Sequence, residues 1–228
     1  MARLDKLKFW IEDYFYMAGG HVRTFFYRKP PKHFLGHIVK EKDPIVIIPG
    51  IFEKWGMLKK IIDPLSRKGH PIYIVPELKY NAKNIHNSSG QVASLINKKN
   101  LKNVILLAHS KGGLIGKHML AFHNKEERIK KLIAIATPFG GSEIAKKIPI
   151  KPLKELSPDS EIIKTLKEEK QINSYITCIM GEYDNHVWPT ENCKLDGAKN
   201  IKISVDGHHK ILFNRDVVDS IIEEVESS

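Results

Sequence analysis

The chain has 228 residues, 42% of them hydrophobic, and 37 Lys and Arg against 26 Asp and Glu give a net charge of +11. That length suits a single domain with a full core, and no apolar run approaches the roughly 20 residues that cross a bilayer. No basic-aromatic module, zinc-finger spacing or glycine-rich phosphate loop accompanies the charge, so nucleic acid is not expected as a partner.

Residues 1–40 form an N-terminal segment expected to pack on or beside a domain spanning 41–228. Leu4, Leu7, Lys8, Ile11 and Phe15 trace a helical stripe, with Phe9, Trp10, Tyr14 and Tyr16 adding aromatic bulk. Asp5, Glu12 and Asp13 interrupt it and leave no signal-peptide h-region. A helix packed on the domain is the plain reading, and an interfacial membrane helix the alternative. Gly19 and Gly20 are expected to end this helix, His21 to Tyr27 to form an edge strand, and Pro30-Pro31 to close the segment.

From Pro44 an alternation begins. Ile45 to Ile48 reads as a buried strand followed by the turn Pro49-Gly50-Ile51-Phe52. A helix over Trp55 to Lys68, a strand over Ile72 to Val75 and a helix over Asn84 to Lys99 follow. Val104 to Leu107 is a strand buried on both faces, and Leu114 to Ala121 is a helix. Leu132 to Ala136 is another buried strand. The rhythm breaks over 139–173, which is either a small cap or a plain crossover. Tyr175 to Met180 resumes the sheet, Ile201 to Val205 is the last strand, and Arg215 to Val225 is a terminal helix capped by Asn214. Buried strands alternating with amphipathic helices predict an α/β fold, a mostly parallel sheet covered on both faces.

The chemistry centres on Ala108-His109-Ser110-Lys111-Gly112, between a strand and a helix. A tight strand-to-helix turn there would hold Ser110 in a strained conformation, its hydroxyl exposed at the sheet's C-terminal edge. A serine hydroxyl needs a base to take its proton and a third group to orient that base. Asp184, just past one strand, and His208, just past the last, supply both. Glu182 is the runner-up acid and His209 the runner-up base. His109 is expected to hydrogen-bond beneath the turn, Asp206 to pair locally and His186 to face solvent. The oxyanion of an acyl-transfer intermediate would take the backbone N–H of Lys111 and of Ile51, with Phe52 as the alternative to Ile51. The eleven histidines show no metal-ligand spacing, and no metal or cofactor is expected.

These motifs resemble the α/β-hydrolase superfamily, in particular its small bacterial lipases and esterases, over about residues 43 to 226. The carriers are Val46 to Ile51, the elbow around Ser110, Ala136-Thr137-Pro138-Phe139-Gly140-Gly141-Ser142, and Leu195 to Asn200 running into Gly207-His208-His209. Pro49 stands before Gly50 where the family usually has His-Gly. The resemblance implies the α/β-hydrolase fold and a serine hydrolase cleaving carboxylic esters, small-molecule or lipid, with a Ser110–His208–Asp184 triad. An acyltransferase with the same triad and a non-catalytic hydrolase-like binding module are the alternatives. Cys178 and Cys193 form no C-x-x-C pair, and Cys178 reads as a buried thiol, which suits a reducing, cytoplasmic compartment. Lys6, Lys8, Lys146, Lys147, Lys151 and Lys154 would give a basic rim suited to peripheral contact with an anionic membrane.

Overall fold

The computed structural model describes residues 3–27 and 29–227, with side chains from Lys8 onward. Leu4, Asp5, Lys6 and Leu7 therefore lie outside the described side chains. In chain order the helices are α1 (Arg3–Phe26), α2 (His33–Gly36), α3 (Lys59–Arg67), α4 (Ile85–Lys98), α5 (Lys111–Phe122), α6 (Glu143–Lys147), α7 (Lys151–Lys154), α8 (Glu161–Glu168) and α9 (Arg215–Glu226). The strands are β1 (Ile45–Ile48), β2 (Ile72–Ile74), β3 (Val104–His109), β4 (Ile129–Ile135), β5 (Ile176–Met180) and β6 (Lys199–Lys202).

All six strands run parallel, in the order β2-β1-β3-β4-β5-β6. Parallel strands need crossover connections, and the helices that make them cover both faces. Strand β3 shows the consequence, since all six of its residues are buried. Val104, Leu106 and Ala108 pack with Ile85, Val92 and Ile96 of α4 and Leu114, Ile115 and Met119 of α5. Ile105 and Leu107 point to the opposite face and meet Ile61, Ile62 and Leu65 of α3 and Val217, Ile221 and Val225 of α9. Chain order reverses between β1 and β3, so a crevice opens beyond their carboxyl ends. The elbow serine and the turn after β1 both lie at that crevice.

The N-terminal segment departs from expectation. Gly19 and Gly20 do not end the helix; α1 continues to Phe26 and includes the stretch expected as an edge strand. The reason is packing. A Cβ on Gly20 would stand 2.3 Å from Met57 Sδ, so this glycine permits a close approach to the 3₁₀ turn over 55–58. Thr24, one turn later, is buried beside Gly56 and its Oγ1 donates to the Gly20 carbonyl at 3.0 Å. The facing is also different. Ile11 and Phe15, taken as the inward stripe, are 51% and 74% exposed, while Asp13, taken as its interruption, is fully buried.

Segment 139–173 holds α6, α7, α8 and a 3₁₀ turn, and it joins β4 to the neighbouring β5. Strand β6 begins two residues earlier than expected. Asn214 caps α9, its Oδ1 accepting from Val217 N–H at 3.1 Å. Cys178 and Cys193 are both buried free thiols, and burial raises the Cys178 thiol to about 12.

Candidate active site

Ser110 follows β3 directly and has φ 52° and ψ −123°, a backbone conformation that L-residues adopt only under constraint. Two contacts impose it. The Ser110 N–H donates to Ile135 O of β4 at 2.8 Å. A Cβ on Gly112 would stand 2.2 Å from Ile48 O and 2.9 Å from Pro49 O, both backbone atoms, so only glycine lets α5 start this close to the end of β1.

His208 Nε2 lies 2.9 Å from Ser110 Oγ, and His208 Nδ1 lies 2.7 Å from Asp184 Oδ2. Asp184 accepts at Oδ1 from the N–H groups of His186 (2.7 Å) and Val187 (2.8 Å), which fixes the carboxylate and leaves Oδ2 for the imidazole. Burial alone would raise Asp184, but His208 and these donors hold it below the ordinary carboxylate value. Burial alone would lower His208, and the Asp184 charge and hydrogen bond outweigh it, so His208 lies above its ordinary value. With Nδ1–H directed at a carboxylate, Nε2 presents its lone pair to the Ser110 hydroxyl.

The competing residues lie elsewhere. Glu182 is exposed. His209 turns its Nδ1 to Asp13 Oδ2 at 3.0 Å. His186, expected to face solvent, instead stacks on His208 with ring centroids 4.8 Å apart and planes 3° from parallel. Burial and its neighbouring histidines lower His186 to about 3, so it stays neutral beside His208. Asp206 makes no ion pair among the described residues; its backbone pairs with Tyr183.

Two carboxylates that carried no signal in the sequence complete the site. Glu53 is buried, accepting at Oε2 from Gly50 N–H at 2.7 Å and meeting His109 Nδ1 at 2.9 Å. His109 Nε2–H in turn donates to the His208 carbonyl at 3.0 Å. Burial would raise Glu53, but His109, His209 and the Gly50 N–H bring it down to about 2. By holding Gly50 it folds the turn after β1, where Ile51 and Phe52 line the cavity and their N–H groups make no hydrogen bond among the described residues. Lys111 N–H, in the first turn of α5, has no acceptor four residues back. Lys111's own side chain is buried, its Nζ bonded to the carbonyls of Asn81 and Lys83, and burial lowers it to about 8.

Asp13, on α1, is the second such carboxylate. Oδ1 accepts from the N–H groups of His209 (2.7 Å) and Lys210 (2.9 Å). Oδ2 accepts from His209 Nδ1 and from Asn185 Nδ2 at 3.1 Å, and Asn185 Oδ1 accepts from His208 N–H at 2.9 Å. Burial opposes its charge, but His209 and Lys210 N–H hold Asp13 well below the ordinary range. Asp13, His186 and His209 bring potential metal-ligand atoms within 4.8 Å of one another. With two donors on each Asp13 oxygen, all four lone-pair sites of that carboxylate are in use. A sequence scan for spacing cannot find such a set, because its members come from three separate segments.

A cavity of about 420 Å³ opens over Ser110 and His208. Trp10, Tyr14 and Met17 of α1 form one wall; Ile144, Ile148 and Leu153 of 139–173 form the other. Its lining is mostly apolar, with the serine hydroxyl at the base.

A six-stranded parallel sheet, a strained serine after β3 and histidine and aspartate after later strands form a known arrangement. The fold is that of the α/β-hydrolases. The family model for a PGAP1-like alpha/beta domain matches residues 74–180, a little under half the chain, including the elbow but neither Asp184 nor His208. No curated protein sequence matches the chain. Among solved structures, Aspergillus fumigatus lipase B superposes with a TM-score of 0.65 at 16% identity, covering 84% of this chain and 54% of its own. The chain thus spans about half the length of that lipase. Bacillus licheniformis lipase BlEst2 in mature form gives 0.67 at 15%, covering 84% and 95%. Paleococcus ferrophilus monoacylglycerol lipase gives 0.62 at 16%, covering 82% and 96%. The chain is an α/β-hydrolase-fold protein that resembles lipases and esterases. No described helix is long and apolar enough to cross a membrane.

Proposed function

We propose that this chain is a serine hydrolase of carboxylic esters whose acyl group occupies the apolar cavity above Ser110. The observation that carries the proposal is the hydrogen-bonded series Ser110 Oγ, His208, Asp184, at 2.9 and 2.7 Å, set on a strained turn at the base of that cavity. Ser110 Oγ attacks the ester carbonyl while His208 Nε2 takes its proton, and ionised Asp184 stabilises the imidazolium. The N–H groups of Ile51 and Lys111 receive the negative charge that develops on the carbonyl oxygen. His208 then protonates the departing alcohol. Water, deprotonated by the same nitrogen, attacks the acyl-enzyme and releases the acid with Ser110 restored. The apolar walls from α1 and 139–173 support an acyl chain of moderate length as the group recognised.

A fluorophosphonate probe tests the nucleophile and a chain-length series of nitrophenyl esters tests the pocket. The probe should label Ser110 alone, and Ser110→Ala should lose label together with about 10³-fold or more of the ester turnover. Unchanged turnover in pure, folded Ser110→Ala protein overturns the reading.

A further inference from the structure

Helix α1 presents three unlike faces to its surroundings. At about 100° per residue, Asp13, Gly20 and Thr24 share the face turned into the protein, and Trp10, Tyr14, Met17 and His21 the face that lines the cavity. Next to that cavity face, Ile11, Phe15, Val22 and Phe26 fall within an arc of roughly 60°. They are 51%, 74%, 58% and 75% exposed. Four large apolar side chains on one line of one helix form a patch of the kind that marks an interaction surface.

Charge narrows what covers it. On α1 the described acids are spoken for, Asp13 by the buried network and Glu12 by Lys210 at 2.8 Å, while Lys8 and Arg23 are exposed. Across the cavity mouth Lys147, Lys151 and Lys154 are exposed with no acidic partner among the described residues. Phe52, which lines the cavity, and Ile150, within segment 139–173, are 40% and 43% exposed. A second copy of this chain would bring +11 against +11. An anionic lipid surface meets the apolar stripe with acyl chains and the lysines with headgroup charge.

We infer that α1 docks the protein on an anionic bilayer, with Ile11, Phe15, Val22 and Phe26 at the boundary of headgroups and acyl chains and the cavity mouth turned toward the lipid. The helix lies on the surface and does not span it. The docking stands on the exposed surfaces of α1 and of Lys147, Lys151 and Lys154, whatever reaction Ser110 carries out. Its consequence, that the ester is taken from the bilayer through a mouth already facing it, rests on the hydrolase reading.

Co-sedimentation of the full chain with vesicles tests it, using phosphatidylcholine alone and phosphatidylcholine mixed with phosphatidylglycerol. The protein should pellet with the anionic vesicles at low salt and be released as salt rises. The double variant Phe15→Ser/Phe26→Ser should bind at least about tenfold more weakly. Lys147→Gln, Lys151→Gln and Lys154→Gln should each weaken anionic binding about fivefold. Ser110→Ala should bind as the parent does, and the double variant should hydrolyse a short soluble ester as the parent does, which keeps docking and catalysis separable. Equal binding to both vesicle types overturns the proposal, as does no binding at low salt. So does a concentration-dependent dimer that the double variant abolishes, because the stripe would then be covered by a second copy.

Discussion

Asp13 and His209 stand 196 positions apart and are joined twice, the carboxylate accepting from the histidine's backbone N–H at 2.7 Å and from its Nδ1 at 3.0 Å. A Cβ on Gly207 would stand 2.7 Å from Asp13 Oδ1, so the loop carrying His208 is folded around this carboxylate. Through Asn185 the same carboxylate reaches the His208 N–H. Helix α1 thereby holds the loop that presents the proposed base.

Asp13→Asn places an NH₂ group where two donors already point, and hydrogen bonds to a buried charge contribute about 1.5–3 kcal/mol each. Stability should fall by roughly 3 kcal/mol in urea denaturation. Because the substrate cavity is unchanged while His208 loses its alignment, kcat should fall about 10- to 100-fold with KM within about twofold. Steady-state kinetics on a soluble ester check this. A change confined to KM would remove Asp13 from its positioning role.

The two adjacent histidines should separate cleanly. His208→Ala should lower ester turnover by about 10³-fold or more, nearly as far as Ser110→Ala, because the two groups act as a unit. His209→Ala should keep activity within about tenfold, since Asp13 retains the backbone N–H groups at 209 and 210. Its cost should appear in the melting temperature. The opposite ranking would place the base at His209.

The pH profile follows from His208. The base must be neutral to accept the serine proton, and Asp184 holds it above 6.5 against the opposing effect of burial. The acidic limb of kcat/KM should therefore have its midpoint above pH 6.5, with activity lost as pH falls through it. Asp184→Asn removes the charge that favours the imidazolium. Its limb should shift to lower pH, and kcat should drop about 10⁴-fold as the tautomer is lost. An unshifted limb would show that another group titrates.

Glu53 sets an acid limit on stability. Its carboxyl is held at about 2 in the folded chain against 4.5 in the unfolded one. Between those values the unfolded state binds the extra proton, so this contribution is complete above pH 4.5 and is lost as pH falls toward 2. The full loss is on the order of 3 kcal/mol. Glu53→Gln should be less stable than the parent at pH 7 and should show a flatter decline in that acid window. Urea midpoints measured across the range decide it, and an equal slope in both proteins would contradict the coupling.

The α/β alternation was legible because strands buried on both faces are apolar throughout, as in Val104 to Leu107, and the helices that cover them carry a one-sided stripe. Ser110 and Asp184 were legible as candidates because each comes shortly after a buried apolar strand, whereas His208 lies six residues beyond β6, a largely exposed strand that ends at Lys202 and not at the expected Val205. Segment 1–40 was not legible. Both sides of α1 carry large apolar residues, so periodicity could not say whether Ile11 and Phe15 or Trp10 and Met17 faced inward. Gly20 read as a stop because nothing local revealed Met57 against it. Asp13 read only as an interruption of the helical stripe and Glu53 drew no reading, since a carboxylate is buried only where donors meet it. Those donors come from residues 185, 209 and 210 for the first and from 50 and 109 for the second. Hydrophobic periodicity reports the surface each element hides from water and is written along the chain; the pairing of a buried charge is a relation between distant segments and exists only once they are packed together.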